Sequence, residues 1–222
     1  ATWSLRERPA CMAAPSSPAS SINRRSTFKW TSSSRSENWK RPAHEINALM
    51  GLLEQYLQSE MEGLIEQGAR FRTIGQVDAL PASALNWVRR VESETAHLDR
   101  LMLTVALSYG GRTEIVDAVR RLAQDCTTGK LRPDEIDEGL LEGYLSTQGL
   151  PDPDLLIRTS GEARLSNFLL WQLAYTEMYF TPILWPDFRR REALLALLDY
   201  QRRERRFGKT RDQLQEPLSR VG

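Results

Sequence analysis

The chain has 222 residues, of which 41% are hydrophobic and 27% charged, and its formal net charge is +1. Such a length and composition are typical of one globular domain with a sizeable core, and the small net charge argues against binding of nucleic acid by bulk electrostatics. Two cysteines, Cys11 and Cys126, are too few for a disulfide framework or a metal site, and no run is long and apolar enough to span a bilayer. We therefore expect a cytoplasmic protein.

The first 35 residues differ from the rest of the chain. They are rich in Ala, Ser, Arg and Pro and show no sustained hydrophobic period. This composition predicts an irregular or disordered leader over residues 1–35, although a short strand at residues 26–30 is left open.

Strands and helices alternate from Ser36 onward. We predict strands at residues 70–75, 101–107, 154–158 and 177–180, and helices at residues 43–67, 81–97, from 112, 133–147, 166–174 and up to about 206. This order predicts a single α/β domain over residues 36–210, with a mainly parallel sheet flanked by helices. A flexible tail is expected at residues 211–222.

A polar loop follows the predicted strand at Leu155 to Ile157. It contains Arg158 and Arg164 and leads to Ser166, a predicted helix N-cap. Open α/β sheets bind ligands beyond the carboxyl ends of their strands, and arginine binds phosphate oxygens with paired hydrogen bonds. The loop therefore suits a diphosphate. The alternative is that both arginines are surface charges and that Ser160-Gly161 is only a turn.

Five motifs, in this order, resemble the cis-prenyltransferases of the undecaprenyl diphosphate synthase family. They are Ser36-Glu37-Asn38-Trp39-Lys40-Arg41-Pro42, Tyr109-Gly110-Gly111-Arg112, Ile157-Arg158-Thr159-Ser160-Gly161-Glu162, Ser166-Asn167-Phe168-Leu169-Leu170-Trp171-Gln172 and Leu184-Trp185-Pro186-Asp187-Phe188. The resemblance covers residues 36 to about 210. It implies condensation of isopentenyl diphosphate with an allylic diphosphate such as farnesyl diphosphate, with Mg²⁺, to give a cis-polyprenyl diphosphate that serves as a cell-wall lipid carrier.

The resemblance also assigns roles to residues. It implies that Asn38 assists proton removal, that Arg158, Arg164 and Ser166 hold the diphosphate of isopentenyl diphosphate, and that Glu177 binds magnesium. The other implied substrate contacts are Arg35, Ser36, Glu37, Trp39, Arg41 and Leu165.

Further implications concern the product tunnel and the partners. Leu49, Leu52 and Leu101 correspond to tunnel positions, although leucines at helical spacing also suit an ordinary core. Arg206-Phe207-Gly208 resembles the carboxy-terminal motif that reaches across a homodimer to the diphosphate site. A homodimer with peripheral membrane contact through its lipid product, and no nucleic-acid partner, is therefore expected.

The chain departs from the family at its N-terminus. Members begin with a strand that leads to Asp-Gly-Asn-Gly-Arg-Trp-Ala, but this motif is absent here and residues 1–35 contain no aspartate. Arg35 and Ala163 also replace a usual serine and, in some members, a histidine. We interpret the front as the result of a reading-frame error or a replaced gene end, and expect the first strand to be missing. The alternative is an inactive member that acts as a diphosphate-binding or partner subunit.

Overall fold

The computed structural model describes the backbone of residues 26–35 and 43–203, and the side chains of residues 48–203. Its strands are β1 (Ser26–Arg35), β2 (Ala69–Ile74), β3 (Leu101–Tyr109), β4 (Leu155–Arg158) and β5 (Glu177–Phe180). Its helices are α1 (Ala43–Glu66), α2 (Ala82–Thr95), α3 (Gly111–Thr127), α4 (Glu138–Tyr144) and α5 (Arg190–Gln201). The predicted α/β alternation is confirmed in this part of the chain.

The described strands form two sheets, and every strand pair in them is parallel. β3 lies between β1 and β2, with Leu101 aligned to both Ser26 and Ala69, while β4 pairs with β5 in a second sheet. The nine residues of β3 are buried from Leu103 onward, as expected for a central strand covered on both faces. The predicted parallel strands flanked by helices are thus confirmed, but the described strands form two sheets and not the single sheet that was predicted.

Apolar side chains form the core in three clusters. The largest joins α1 and α2 to the first sheet through Leu57, Val88 and Val105. A second cluster joins Tyr109 of β3 to Leu156 of β4, and the third packs β4 against α5. Successive β4 residues alternate between the last two clusters, so the two faces of the second sheet have different neighbours.

The leader prediction needs correction over part of its length. Residues 26–35 form β1 and pair with β3, although their sequence lacks an alternating apolar pattern. Backbone hydrogen bonds to a buried neighbouring strand do not depend on side-chain pattern, which explains why the sequence did not indicate the full strand. Residues 1–25 and 204–222, including Arg206 and Gly208, lie outside the described residues.

Two predicted helices are also wrong. The helix at residues 133–147 is replaced by a short 3₁₀ turn, Pro133–Glu135, and the brief α4. The helix at residues 166–174 does not form, because Ser166, Asn167 and Leu169 have positive φ angles of 53°, 59° and 43°. Left-handed residues interrupt the hydrogen-bond ladder of a right-handed helix. The segment instead forms hydrogen-bonded turns, so Ser166 is not a helix N-cap.

Candidate functional site

Arg158 and Arg164 converge on one carboxylate. Arg158 is the last residue of β4, and its Nη2 donates to Oε2 of Glu162, while Nη2 of Arg164 donates to Oε1. The two guanidinium groups are thus brought to opposite oxygens of the same side chain. The side chains of Arg158 and Glu162 are 26% and 35% exposed, and that of Arg164 is 64% exposed, so the cluster opens to solvent on one side.

The loop that carries this cluster is held by the chain that follows β5. Ser160 N donates to Ile183 O and Gly161 N donates to Thr181 O, both at 2.9 Å, and Thr181 N donates to Arg158 O. Ser160 and Gly161 have φ angles of 71° and 69°, which reverse the chain between the two arginines. Backbone contacts therefore fix the turn and bring Arg164 back beside the end of β4.

Leu165 and Ser166 lie directly after this loop. Leu165 packs against the cluster of Tyr109 and Leu156, and Ser166 is half-buried. Asn167 accepts hydrogen bonds from Gly111 N at its backbone oxygen and from Arg112 N at Oδ1. Asn167 therefore caps the start of α3, a role for which no signal in the local sequence is specific.

Glu114 connects this region to its surroundings. Its Oε2 accepts from Tyr109 Oη at 2.5 Å and from Gln172 Nε2 at 3.1 Å, and its Oε1 accepts from N and Oγ of Ser146. Burial, followed by the nearby Glu114 carboxylate, raises the pKa of Tyr109 well above its ordinary value. The sequence analysis missed Glu114, although it lies two residues after the Tyr109-Gly110-Gly111-Arg112 motif.

Glu177, the predicted magnesium ligand, lies elsewhere on the second sheet. It is aligned with Leu155, whereas Arg158 is aligned with Phe180, so Glu177 and Arg158 are at opposite ends of the ladder, about 10 Å apart along the strand. Their side chains also point to opposite faces by the alternation of the strands. Within one chain, Glu177 therefore lies away from the pair of arginines.

Glu177 already pairs with the guanidinium group of Arg203. Its Oε2 accepts from Arg203 Nη1 at 2.8 Å, and Asp199 Oδ2 accepts from Nε and Nη2 of the same guanidinium. The hydrogen bond to Glu177 and the proximity of Asp199 raise the pKa of Arg203 above its ordinary value. No three acidic, histidine or cysteine side chains come together as a metal site anywhere in the described region. The described residues alone do not fit a magnesium site.

The structure places the remaining predicted residues as follows. Ser36, Glu37, Asn38, Trp39 and Arg41 lie outside the described residues, and only the backbone of Arg35 is described, aligned with Tyr109. Leu49 and Leu52 are 40% and 62% exposed on α1, whereas Leu101 packs against the largest core cluster. A cavity of about 130 Å³ lies between Glu142, Thr147, Asp152 and Gln172 and includes none of the predicted site residues.

Comparisons with known proteins cover most of the chain. Residues 30–208 match the family model described as "Putative undecaprenyl diphosphate synthase". An isoprenyl transferase of Heliobacterium mobile is 55% identical over 172 residues, which are 78% of this chain and 66% of that protein. The isoprenyl transferase of Bacillus subtilis is 50% identical over the same share of both chains. The chain thus spans slightly less than two thirds of these relatives.

Solved structures agree with the sequence comparisons. Lavandulyl diphosphate synthase from Lavandula x intermedia, in complex with dimethylallyl diphosphate, aligns with a TM-score of 0.80 at 39% identity, covering 82% of this chain and 79% of that one. A "probable undecaprenyl diphosphate synthase" from Campylobacter jejuni aligns with a TM-score of 0.72 at 36% identity, covering 82% and 83%. The chain belongs to the undecaprenyl diphosphate synthase family of isoprenyl transferases, the cis-prenyltransferases.

Proposed function

We propose that this chain condenses isopentenyl diphosphate with an allylic diphosphate, such as farnesyl diphosphate, to give a cis-polyprenyl diphosphate of the undecaprenyl type. The observation that carries the proposal is the convergence of Arg158 and Arg164 beyond the carboxyl end of β4. Family membership supports it, because both substrates of such an enzyme carry a dense anionic head. The dimethylallyl diphosphate bound to the lavender relative is of the same chemical class.

The proposed task of the arginine pair is to fix one substrate. Arg158 and Arg164, with Ser166, bind the diphosphate of isopentenyl diphosphate through charge-assisted hydrogen bonds. Fixing the head orients the alkene toward the allylic carbon that loses its diphosphate, and such positioning removes a large entropic part of the barrier. Leu165 contributes by packing the loop onto the core at Tyr109 and Leu156.

Residues near the N-terminus are proposed to complete the site. Asn38 assists loss of the proton as the new cis double bond forms, and Arg35, Ser36, Glu37, Trp39 and Arg41 contact the substrates. Their support is the family match, which begins at residue 30, and the alignment of Arg35 with Tyr109 at the carboxyl end of β3. The apolar tail is proposed to follow Leu49 and Leu52 on α1, with Leu101 at the neighbouring sheet.

Magnesium remains part of the proposal for the family's chemistry. The ion would neutralise charge on the departing diphosphate. Glu177 is its proposed ligand by resemblance, but in this chain Glu177 pairs with Arg203 and lies at the far end of the ladder from Arg158.

A homodimer and a cytoplasmic location, with the membrane reached through the lipid product, are further parts of the proposal. Leu194, Leu195 and Leu198 are 44–49% exposed on α5, which gives apolar surface that a second copy could cover. No helix in the described stretches is long and apolar enough to cross a membrane. Light scattering after size exclusion measures the oligomeric state directly.

An elongation assay tests the proposed activity. The protein is incubated with farnesyl diphosphate, radiolabelled isopentenyl diphosphate and Mg²⁺, and the products are separated by chain length. Labelled cis-polyprenyl products that form with the wild type but not with Arg158→Met support the proposed activity. Binding of isopentenyl diphosphate without any product supports the second candidate, a diphosphate-binding or partner subunit, which the lack of aspartate in residues 1–35 favours.

A further inference from the structure

Glu162 occupies the position between the two arginines that the proposed function gives to a diphosphate. Its two carboxylate oxygens accept from Nη2 of Arg158 and from Nη2 of Arg164. A single carboxylate is therefore shared by two cations that flank the five-residue loop 159–163. Two guanidinium groups placed this close repel one another unless an anion lies between them.

Backbone hydrogen bonds fix the position of Glu162 within the loop. Hydrogen bonds from Ser160 N and Gly161 N to the segment after β5 hold the turn, so Glu162 is directed back toward Arg158. Arg158 Nε is buried and has no hydrogen-bond partner among the described residues. Buried donors are normally satisfied, and an unsatisfied donor in this pair of arginines indicates that the site is built for a further acceptor.

We propose that Glu162 is a positioning residue that holds Arg158 and Arg164 together before the substrate arrives, and that the incoming diphosphate displaces its carboxylate. This inference rests on the proposed diphosphate site. A diphosphate carries more negative charge and more acceptor oxygens than one carboxylate, so it can satisfy both guanidinium groups and also the unpaired Nε. Glu162 therefore lowers the apparent affinity for diphosphate while keeping the arginines converged.

The consequence is a gain in affinity when the charge of Glu162 is removed. Glu162→Gln keeps the size of the side chain and one acceptor oxygen but removes the competing anion. Because the two ion pairs are partly exposed, each contributes only a modest interaction free energy. We expect inorganic pyrophosphate to bind Glu162→Gln about tenfold more tightly than the wild-type protein, which corresponds to about 1.4 kcal/mol.

Titration calorimetry with inorganic pyrophosphate, without metal, measures this effect on the full chain. Glu94→Gln is the matched control, because it makes the same change in net charge at an exposed position of α2 beside Arg90. We expect it to bind pyrophosphate like the wild type. Glu162→Ala provides a second variant without the competing charge, and thermal unfolding of each variant checks that its fold is intact.

The outcomes separate this inference from the proposed site. Unchanged or weaker binding by both Glu162 variants overturns the displacement by diphosphate, provided that Arg158→Met weakens binding. If Arg158→Met and Arg164→Met both bind pyrophosphate like the wild type, the proposed diphosphate site is refuted, and so is the proposed role of Glu162. Tighter binding by Glu162→Gln but not by Glu94→Gln supports the inference.

Discussion

Replacing Glu114 by alanine should strongly destabilise the fold. The side chain accepts hydrogen bonds from Tyr109, Gln172 and two atoms of Ser146, so one carboxylate joins β3, the segment after α4 and the turns after Asn167. Tyr109 and Gln172 are buried, with 4% and 2% of their surface exposed. Alanine leaves their donors without this acceptor inside the protein.

The magnitude follows from the donors that lose their acceptor. A buried donor left unpaired costs about 1–3 kcal/mol. Tyr109 Oη and the backbone N of Ser146 lose their acceptor, and the cost at the half-buried Ser146 is at the low end of this range. Gln172 Nε2 keeps its hydrogen bond to Thr147 Oγ1 at 2.9 Å. Loss of a carboxylate in the first turn of α3 removes a further ~0.5 kcal/mol of helix-dipole stabilisation. We expect Glu114→Ala to lower the free energy of unfolding by about 3–5 kcal/mol.

Urea unfolding followed by circular dichroism measures this loss, with Glu94→Ala as the control. Glu94 is exposed and its contact with Arg90 is 3.9 Å long, so its removal should change the free energy by less than about 0.5 kcal/mol. A double-mutant cycle with Tyr109→Phe should show coupling between Tyr109 and Glu114. A loss below about 1 kcal/mol in Glu114→Ala, with an unchanged slope, would refute the role of Glu114 as the shared acceptor.

Three other predictions follow from single features. Because the pKa of Tyr109 is raised in the folded state, its contribution to stability is present below the unfolded pKa of about 10 and is lost as the pH rises above that value. Tyr109→Phe should therefore lose less thermal stability than the wild type at alkaline pH, as measured by thermal unfolding. Gly75→Ala should lower the free energy of unfolding by about 3 kcal/mol or more, because the φ of Gly75 is 102° and a Cβ would lie 2.2 Å from Leu107 O. Gly129→Ala, at a φ of 73° in open space, should lower it by about 1 kcal/mol, and equal urea midpoints of the two variants would contradict this. Fusion of the N-terminal segment of a family member, with its Asp-Gly-Asn-Gly-Arg motif, should increase the rate of Mg²⁺-dependent elongation at least tenfold over that of this chain. Equal rates in the radiolabelled assay would show that the motif is dispensable.

Much of the fold could be predicted because its signals are local. The apolar residues of α1 recur at helical spacing, and the buried run at Leu155 to Ile157 has the length and turn boundaries of a parallel strand. Strand β1 gave only a weak signal, since its pairing depends on the neighbouring β3. The arginine loop could be predicted as an anion site because its residue types and its place after a strand both suit phosphate.

The remaining features depend on contacts between distant parts of the chain. Leu165, Phe168, Leu169 and Leu173 have a spacing compatible with a helix, but Asn167 binds the start of α3 and the backbone turns left-handed instead. Nothing local to Glu177 indicates that Arg203, 26 residues later, is its hydrogen-bond partner. For Glu162 a signal was present, since it lies four residues after Arg158 and two before Arg164, but only the loop geometry shows that it binds both.

Equilibrium binding of radiolabelled isopentenyl diphosphate tests the central claim, that the loop after β4 holds this substrate. The wild-type protein is compared with the double variant Arg158→Met/Arg164→Met and with Arg120→Met, whose arginine is exposed on α3 beside Asp117. We predict saturable binding by the wild type and by Arg120→Met, and at least a hundredfold weaker binding by the double variant, which loses two charge-assisted contacts. Equal binding by the double variant and the wild type would contradict the account.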